Sequence, residues 1–195
     1  MNVLVGLSPF IAFALLSNLS IDLALWAAFA AAFAVGIRDF VHYRALRLMD
    51  AFGTALFGLL ALYAGFLAPG ISTYAVRLIV DGGFLILAFV TIALSNPFTL
   101  PYAREQSSKE RWVTSEFKRM NYTISSIWGL AFAVMTAADA AATFSRKFSP
   151  SLDLAIGLGA LAVAITATAR YAVQDRTRTA RRDAKRRAVE SRSST

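Results

Sequence analysis

Asp22, Arg77, Asp81, Asp139 and Asp153 all fall inside or at the ends of long apolar runs, and an ionisable side chain in a bilayer is costly enough to need either a partner or a use. Arg77 and Asp81 are one helical turn apart, on one face and close enough to pair. Read as chemistry, the set forms a polar vestibule that takes up protons or cations, with Asp81 and Asp139 as the exchangeable carboxylates and Arg77 tuning one of them. Read as structure, Arg77 and Asp81 neutralise each other, Asp22 and Asp153 sit at helix N-termini where a carboxylate favours the dipole, and Asp139 reaches outward to water. Gly82 and Gly83, beside Asp81, either loosen the helix or admit a close neighbour.

The remaining side chains narrow the chemistry. The chain has no Cys, so disulfides, thiolate metal sites and Cys nucleophiles are excluded. Its one His, His42, lies in a basic segment near Asp39, and no Ser is selected by spacing to complete a hydrolytic triad with them. Gly-rich phosphate loops of the Walker type and acidic metal clusters are absent from the sequence. The expectation is of no catalytic residues, no metal, no cofactor and no enzymatic activity.

The elements that must position these charges are transmembrane helices. Of 195 residues, 57% are apolar and only 16% charged, far outside the range of a soluble domain. Six apolar stretches can be laid out: Val3–Leu16, Ile21–Ile37, Ala51–Leu67, Tyr74–Ser95, Ile124–Thr143 and Leu152–Ala169. A span needs about 20 residues, so the first, which also holds Pro9, is short, and five spans with a re-entrant first segment is the other count. That first stretch lacks the basic flank and cleavage site of a secretory signal and reads as a retained helix. The fold expected is all-α: a polytopic bundle over residues 1–169 followed by a basic tail over 170–195.

Cation placement sets the orientation. The segments Arg38–Asp50 and Asn96–Thr123 and the tail together hold 17 of the 20 Lys and Arg residues, against Arg77, Arg146 and Lys147 on the other side. The positive-inside rule places both long segments and both termini in the cytoplasm. Tyr43, Tyr102, Tyr122 and Trp128 then mark the inner interface, with Tyr63 and Tyr74 at the outer one. All four acids of the vestibule fall in the outer half. Ala27 with Ala31, Ala28 with Ala32, Ala61 with Gly65, and Ala160 with Ala164 have the spacing of small-residue packing faces.

Outside the spans, Pro97 and Pro101 end the fourth helix, and Ser107 with Glu110 makes a capping box for a helix reaching Met120. Trp112, Val113, Phe117 and Met120 share one side of it, while Lys109, Arg111, Lys118 and Arg119 lie elsewhere, so it reads either as an amphipathic helix on the inner leaflet or as a loop packed under the bundle. The tail has almost no large apolar residues and is expected to be disordered or a loose helix. Its basic run, Arg181, Arg182, Lys185, Arg186 and Arg187, is suited to anionic lipid headgroups rather than nucleic acid, each cation near the surface contributing about 1 kcal/mol.

Several of these features together resemble the bacterial inner-membrane family known as intracellular septation protein A, small multi-pass proteins linked to septation and envelope integrity. The features are Leu7-Ser8-Pro9-Phe10, the Arg44-Ala45-Leu46-Arg47-Leu48-Met49 segment leading into Phe52-Gly53, Pro97, Trp112, Asn121 and Trp128, in order over residues 3–165. The stretch from Pro97 to Glu105 departs from that pattern, as do Asp139 and the long basic tail. That stretch is similar to one in a broader group of uncharacterised bacterial integral membrane proteins, which the chain resembles more. The resemblance implies a multi-pass protein of the bacterial cytoplasmic membrane and supplies no catalytic residues. Two functions are expected: a non-enzymatic scaffold maintaining the envelope through contacts with lipid, other membrane proteins or a second copy of itself, and a small transporter or channel for protons, cations or a small solute.

Overall fold

A computed structural model describes residues 5–43, 47–105, 107–145 and 149–193, and all regular structure among them is helical. In chain order the helices are α1 (Ser8–Leu16), α2 (Ile21–Tyr43), α3 (Leu48–Leu62, extended by a π-helical turn Tyr63–Leu67), α4 (Thr73–Ala93), the short α5 (Leu100–Arg104) and α6 (Lys109–Trp112), α7 (Ser115–Phe144) and α8 (Pro150–Ser193). Five helical segments are long and apolar enough to cross a membrane: Ile21–His42, Leu48–Leu67, Thr73–Ala93, Ser115–Phe144 and Ser151–Tyr171. Of the six expected spans, the first is the exception: α1 has nine residues, about 14 Å of helix against about 30 Å of hydrocarbon.

What α1 lacks in length it makes up in burial. Leu7, Phe10, Phe13 and Ala14 recur at the three-to-four spacing of one helical face, and all four are buried. The Phe10 ring meets Phe84 of α4 at 5.2 Å and Phe132 of α7 at 5.1 Å, both edge-on, while Phe13 packs on Phe57 of α3 at 5.5 Å. Edge-on aromatic pairs add about 0.5–1.5 kcal/mol each beyond the area they bury. The short helix is thus the centre of the core, gathering α3, α4 and α7 around it.

The other contacts follow a simple order: α1 on α2, α2 on α3, α4 on α7, and α7 on α8. Of the expected small-residue faces, Ala28 with Ala32 is buried along its whole length. Gly83 admits a neighbour, since a Cβ there would stand 3.2 Å from Phe52 and 3.3 Å from Leu56 of α3. The helix α4 runs unbroken through Gly82 and Gly83. Gly70, at φ +95° in the turn before α4, occupies a backbone region that side chains disfavour.

One expectation outside the spans changes. The amphipathic helix expected up to Met120 is broken at Val113 and Thr114, because extended Thr114 caps α7 by accepting a hydrogen bond from Phe117 N at 3.3 Å. Its apolar residues part company: Phe117 is buried, Trp112 half-buried and Val113 exposed, while Lys118 and Arg119 are exposed on the first turns of α7. The tail backbone continues as α8 to Ser193, where composition argued for disorder or a loose helix. The side chains of Arg181, Arg182, Lys185, Arg186 and Arg187 lie outside the described residues, as do Val3, Arg44, Arg146, Lys147 and the Tyr43 side chain.

Replacing Phe10 with Ala removes the ring that α4 and α7 share. The expected cost is about 3–5 kcal/mol, read as a lowered thermal midpoint of the purified protein in detergent, with Phe10→Leu clearly milder.

Candidate functional site

Arg77 enters the bundle one turn into α4 and turns away from its sequence neighbour. Its guanidinium lies 3.7 Å (Nε) from Asp139 Oδ1 on α7 and 3.2 Å (Nη1) from Asp153 Oδ2 on α8, and Nη1 donates to Asn18 Oδ1 in the α1–α2 turn at 3.4 Å. Arg77, Asp139 and Asp153 are 6%, 2% and 1% exposed. Gly157 of α8 gives the guanidinium its place, with 3.5 Å between Nη2 and where a Cβ would stand. Asp81, 3% exposed, lies one turn deeper on α4, on the side of the Asp139 carboxyl. Three carboxyls of three helices therefore face one guanidinium at the end of the bundle where the short turns lie.

This arrangement differs from the simple structural reading in three respects. The ion pairs of Arg77 within 4 Å go to Asp139 and Asp153, not to Asp81. Asp139 does not reach out to water but is buried, because it faces α4 from the inner side of α7. Asp153, although in the first turn of its helix, is buried in the same cluster. Asp22 alone stands apart, exposed in the first turn of α2.

Four buried oxygens in this region lack a hydrogen-bond partner within the chain: Thr136 Oγ1, Asp139 Oδ2, Thr143 Oγ1 and Asp153 Oδ2. Asp153 Oδ2 is near Arg77 but out of hydrogen-bonding alignment. Thr136, Asp139 and Thr143 are one turn apart on one face of α7, so their oxygens form a row along the helix. Buried polar atoms are nearly always paired. A run of unpaired ones beside excess negative charge is the arrangement of a site that binds protons, water or a cation.

A second buried cluster lies at the opposite end, near the long loops, and sequence spacing did not reveal it. Arg47, just before α3, ion-pairs with Asp39 of α2 through Nη1 and with Glu105 at the end of α5 through Nη2. Its guanidinium stacks 4.4 Å over the Tyr102 ring. Arg38 holds the other Asp39 oxygen at 2.6 Å and 2.9 Å. Tyr102 donates its hydroxyl to Asp50 Oδ1 at 2.9 Å, and Asp50 Oδ2, buried, has no hydrogen-bond partner and lies 4.0 Å from Arg47 Nη1. Burial works against the charge of Arg47, but Glu105 and Asp39 outweigh it and raise its pKa. Burial, and then the charge of Asp50, hold the Tyr102 phenol well above its ordinary range, so it stays a donor.

Asn121 and Trp128 belong to a polar seam. Buried Asn121 donates to Phe117 O at 2.8 Å, Thr99 Oγ1 meets Asn121 O at 3.1 Å and Ser125 Oγ at 2.9 Å, and Trp128 Nε1 donates to Thr168 Oγ1 at 3.0 Å. These bonds join α7 to α8 and to the segment before α5, and each uses up its polar groups. Trp112 is held by Arg104 above its ring at 5.5 Å and donates to Ser107 O at 3.3 Å. His42 is exposed at the end of α2. Among the described residues no three His, Cys, Asp or Glu side chains are grouped as metal ligands. Compared with protein-family models, curated proteins and solved structures, the chain matches none.

Arg77→Ala leaves the buried carboxyls with no cation and should cost about 3–5 kcal/mol. Adding Asp139→Asn and Asp153→Asn to that variant should restore part of the loss. Thermal unfolding of the single and triple variants checks both statements.

Proposed function

We propose that this chain is a non-enzymatic, multi-pass protein of the bacterial cytoplasmic membrane that takes up protons or a small cation at the Arg77, Asp81, Asp139 and Asp153 cluster and passes them across its bundle. The observation that carries this reading is that, among the described residues, one guanidinium stands against three buried carboxyls. An uncompensated buried carboxylate costs several kcal/mol even after relaxation, and a clamp serving stability alone would need one acid for one base. The row of unpaired oxygens on Thr136, Asp139 and Thr143 gives an exchanging ion or its water a set of partners. The cation distribution favours the long-loop end as cytoplasmic, which makes this cluster the outer one.

One observation favours the scaffold as a second role. Beyond its apolar segment, α8 continues to Ser193, about 33 Å of further helix at 1.5 Å per residue, carrying the basic run that suits an anionic inner leaflet. The two roles occupy opposite ends of α8 and separate cleanly. Purified protein in liposomes is expected to carry an imposed proton or monovalent-cation gradient, and folded Asp81→Asn and Asp139→Asn variants to fall to the level of protein-free vesicles. Removal of residues after Gln174 should leave that flux intact and weaken binding to anionic vesicles. Wild-type flux indistinguishable from empty vesicles contradicts the transport reading.

A further inference from the structure

We infer that Asp50 is a second proton-binding site, at the long-loop end of the bundle, and that the ion exchanged there is a proton rather than a metal cation. The inference rests on the reading that this bundle moves ions between its two ends. Its geometry stands on separate residues.

The contacts around Arg47 set Asp50 apart. Arg38 and Arg47 are both engaged with Asp39, and the second arm of Arg47 is engaged with Glu105. Asp50, 4% exposed, is held on Oδ1 by the Tyr102 hydroxyl, while its Oδ2 has no hydrogen-bond partner and only the 4.0 Å ion pair with Arg47 Nη1. The described groups facing it are Asp39 from α2, Arg47 at the start of its own helix, and Tyr102 from α5, with Arg38 and Glu105 at the rim. The Asp39 carboxyl is close enough to accept a hydrogen bond from a proton carried by Asp50. Binding forms one O–H bond on Asp50 Oδ2 from a proton of the aqueous phase, and release returns it; nothing is oxidised or reduced.

The guanidinium decides which ion fits. A metal cation at Asp50 Oδ2 would stand within a few ångströms of Arg47 Nη1, itself 4.0 Å from that oxygen, and like charges at that range in a low-dielectric site repel strongly. A proton removes the carboxylate charge instead of adding a second cation beside the first. Access is short: the side chains of Arg38 and Glu105 are 44% and 19% exposed while Arg47 and Asp39 are 4% and 1%, so the cluster lies one side chain beneath the surface. Gly6 seals it from within, because a Cβ there would stand 2.5 Å from the Tyr102 hydroxyl oxygen. Gly6, just before α1, and Asn18, just after it, touch Tyr102 and Arg77 respectively, so the two flanks of one short helix reach both acidic sites.

The test is infrared spectroscopy of the protonated-carboxyl stretch, as a function of pH, for full-length protein in lipid nanodiscs, with proton flux measured on the same preparations. Wild type minus Asp50→Asn should isolate one protonated-carboxyl component that titrates, is lost completely in Asp50→Asn, shifts in frequency in Tyr102→Phe, and persists in Asp81→Asn. Should Asp50→Asn fail to fold, the Tyr102→Phe shift alone carries the test, since that change removes only the hydroxyl touching Asp50. A folded Asp50→Asn with an unchanged band, or a folded Tyr102→Phe with no shift, overturns the inference. The Asp50 component without any wild-type flux upholds the proton site and removes the transport reading instead.

Discussion

A charged group carried into a helix bundle loses its water, and it keeps its charge only where an opposite charge or several donors replace that water. In this chain that constraint falls on Arg77. Its guanidinium is the meeting point of α4, α7, α8 and the α1–α2 turn, and each contributes one polar group that would otherwise be stranded. The arrangement of helices at this end fits it: α7 packs on α4 and α8 on α7, and Asp139 and Asp153 reach the one guanidinium from those two helices. The constraint is met incompletely, since three acids share a single base. That incompleteness is the ground on which ion exchange is proposed for the cluster.

The long-loop end repeats the device with different parts. There, too, a buried arginine is held by acids from separate elements, and there, too, a carboxyl oxygen is left unpaired. Between the ends lies an aromatic layer of Phe10, Phe52, Phe57, Phe84 and Phe132. The short α1 runs through that layer, and the residues flanking it, Gly6 and Asn18, meet the two polar ends. A helix too short to span and too apolar to leave the core is well suited to such a place. Its aromatic contacts fix its position without a backbone connection on either side of it to α4 or α7.

Much of this was legible in the sequence, and the limits have physical reasons. Apolar length locates helices well, and each of the five helical segments long and apolar enough to cross a membrane overlaps one of the expected stretches. Helix ends outside hydrocarbon are set by capping and local propensity: α2 runs on to Tyr43, α7 begins at Ser115, and the broken helix near Thr114 turns on one hydroxyl that a periodicity argument cannot weigh. The vestibule residues Arg77, Asp81, Asp139 and Asp153 were found because charges inside apolar runs are conspicuous singly. Their pairing was not, since which acid reaches Arg77 depends on how α7 and α8 pack. Asp22 was grouped with them by depth alone, and its outward direction removes it. The Asp50 site escaped notice because its members sit at span edges, where charged residues are ordinary, and because Arg47 meets Glu105 across 58 positions of sequence.

The central claim is that the carboxyls around Arg77 are not all ionised, and carbon NMR of aspartate-labelled protein in lipid bilayers at neutral pH tests it most directly. At least one neutral carboxyl resonance is predicted that disappears in Asp81→Asn or Asp139→Asn and is retained in Asp22→Asn. If every aspartate carboxyl in the folded wild type is ionised at neutral pH and no bound cation accompanies them, the account of this cluster is wrong.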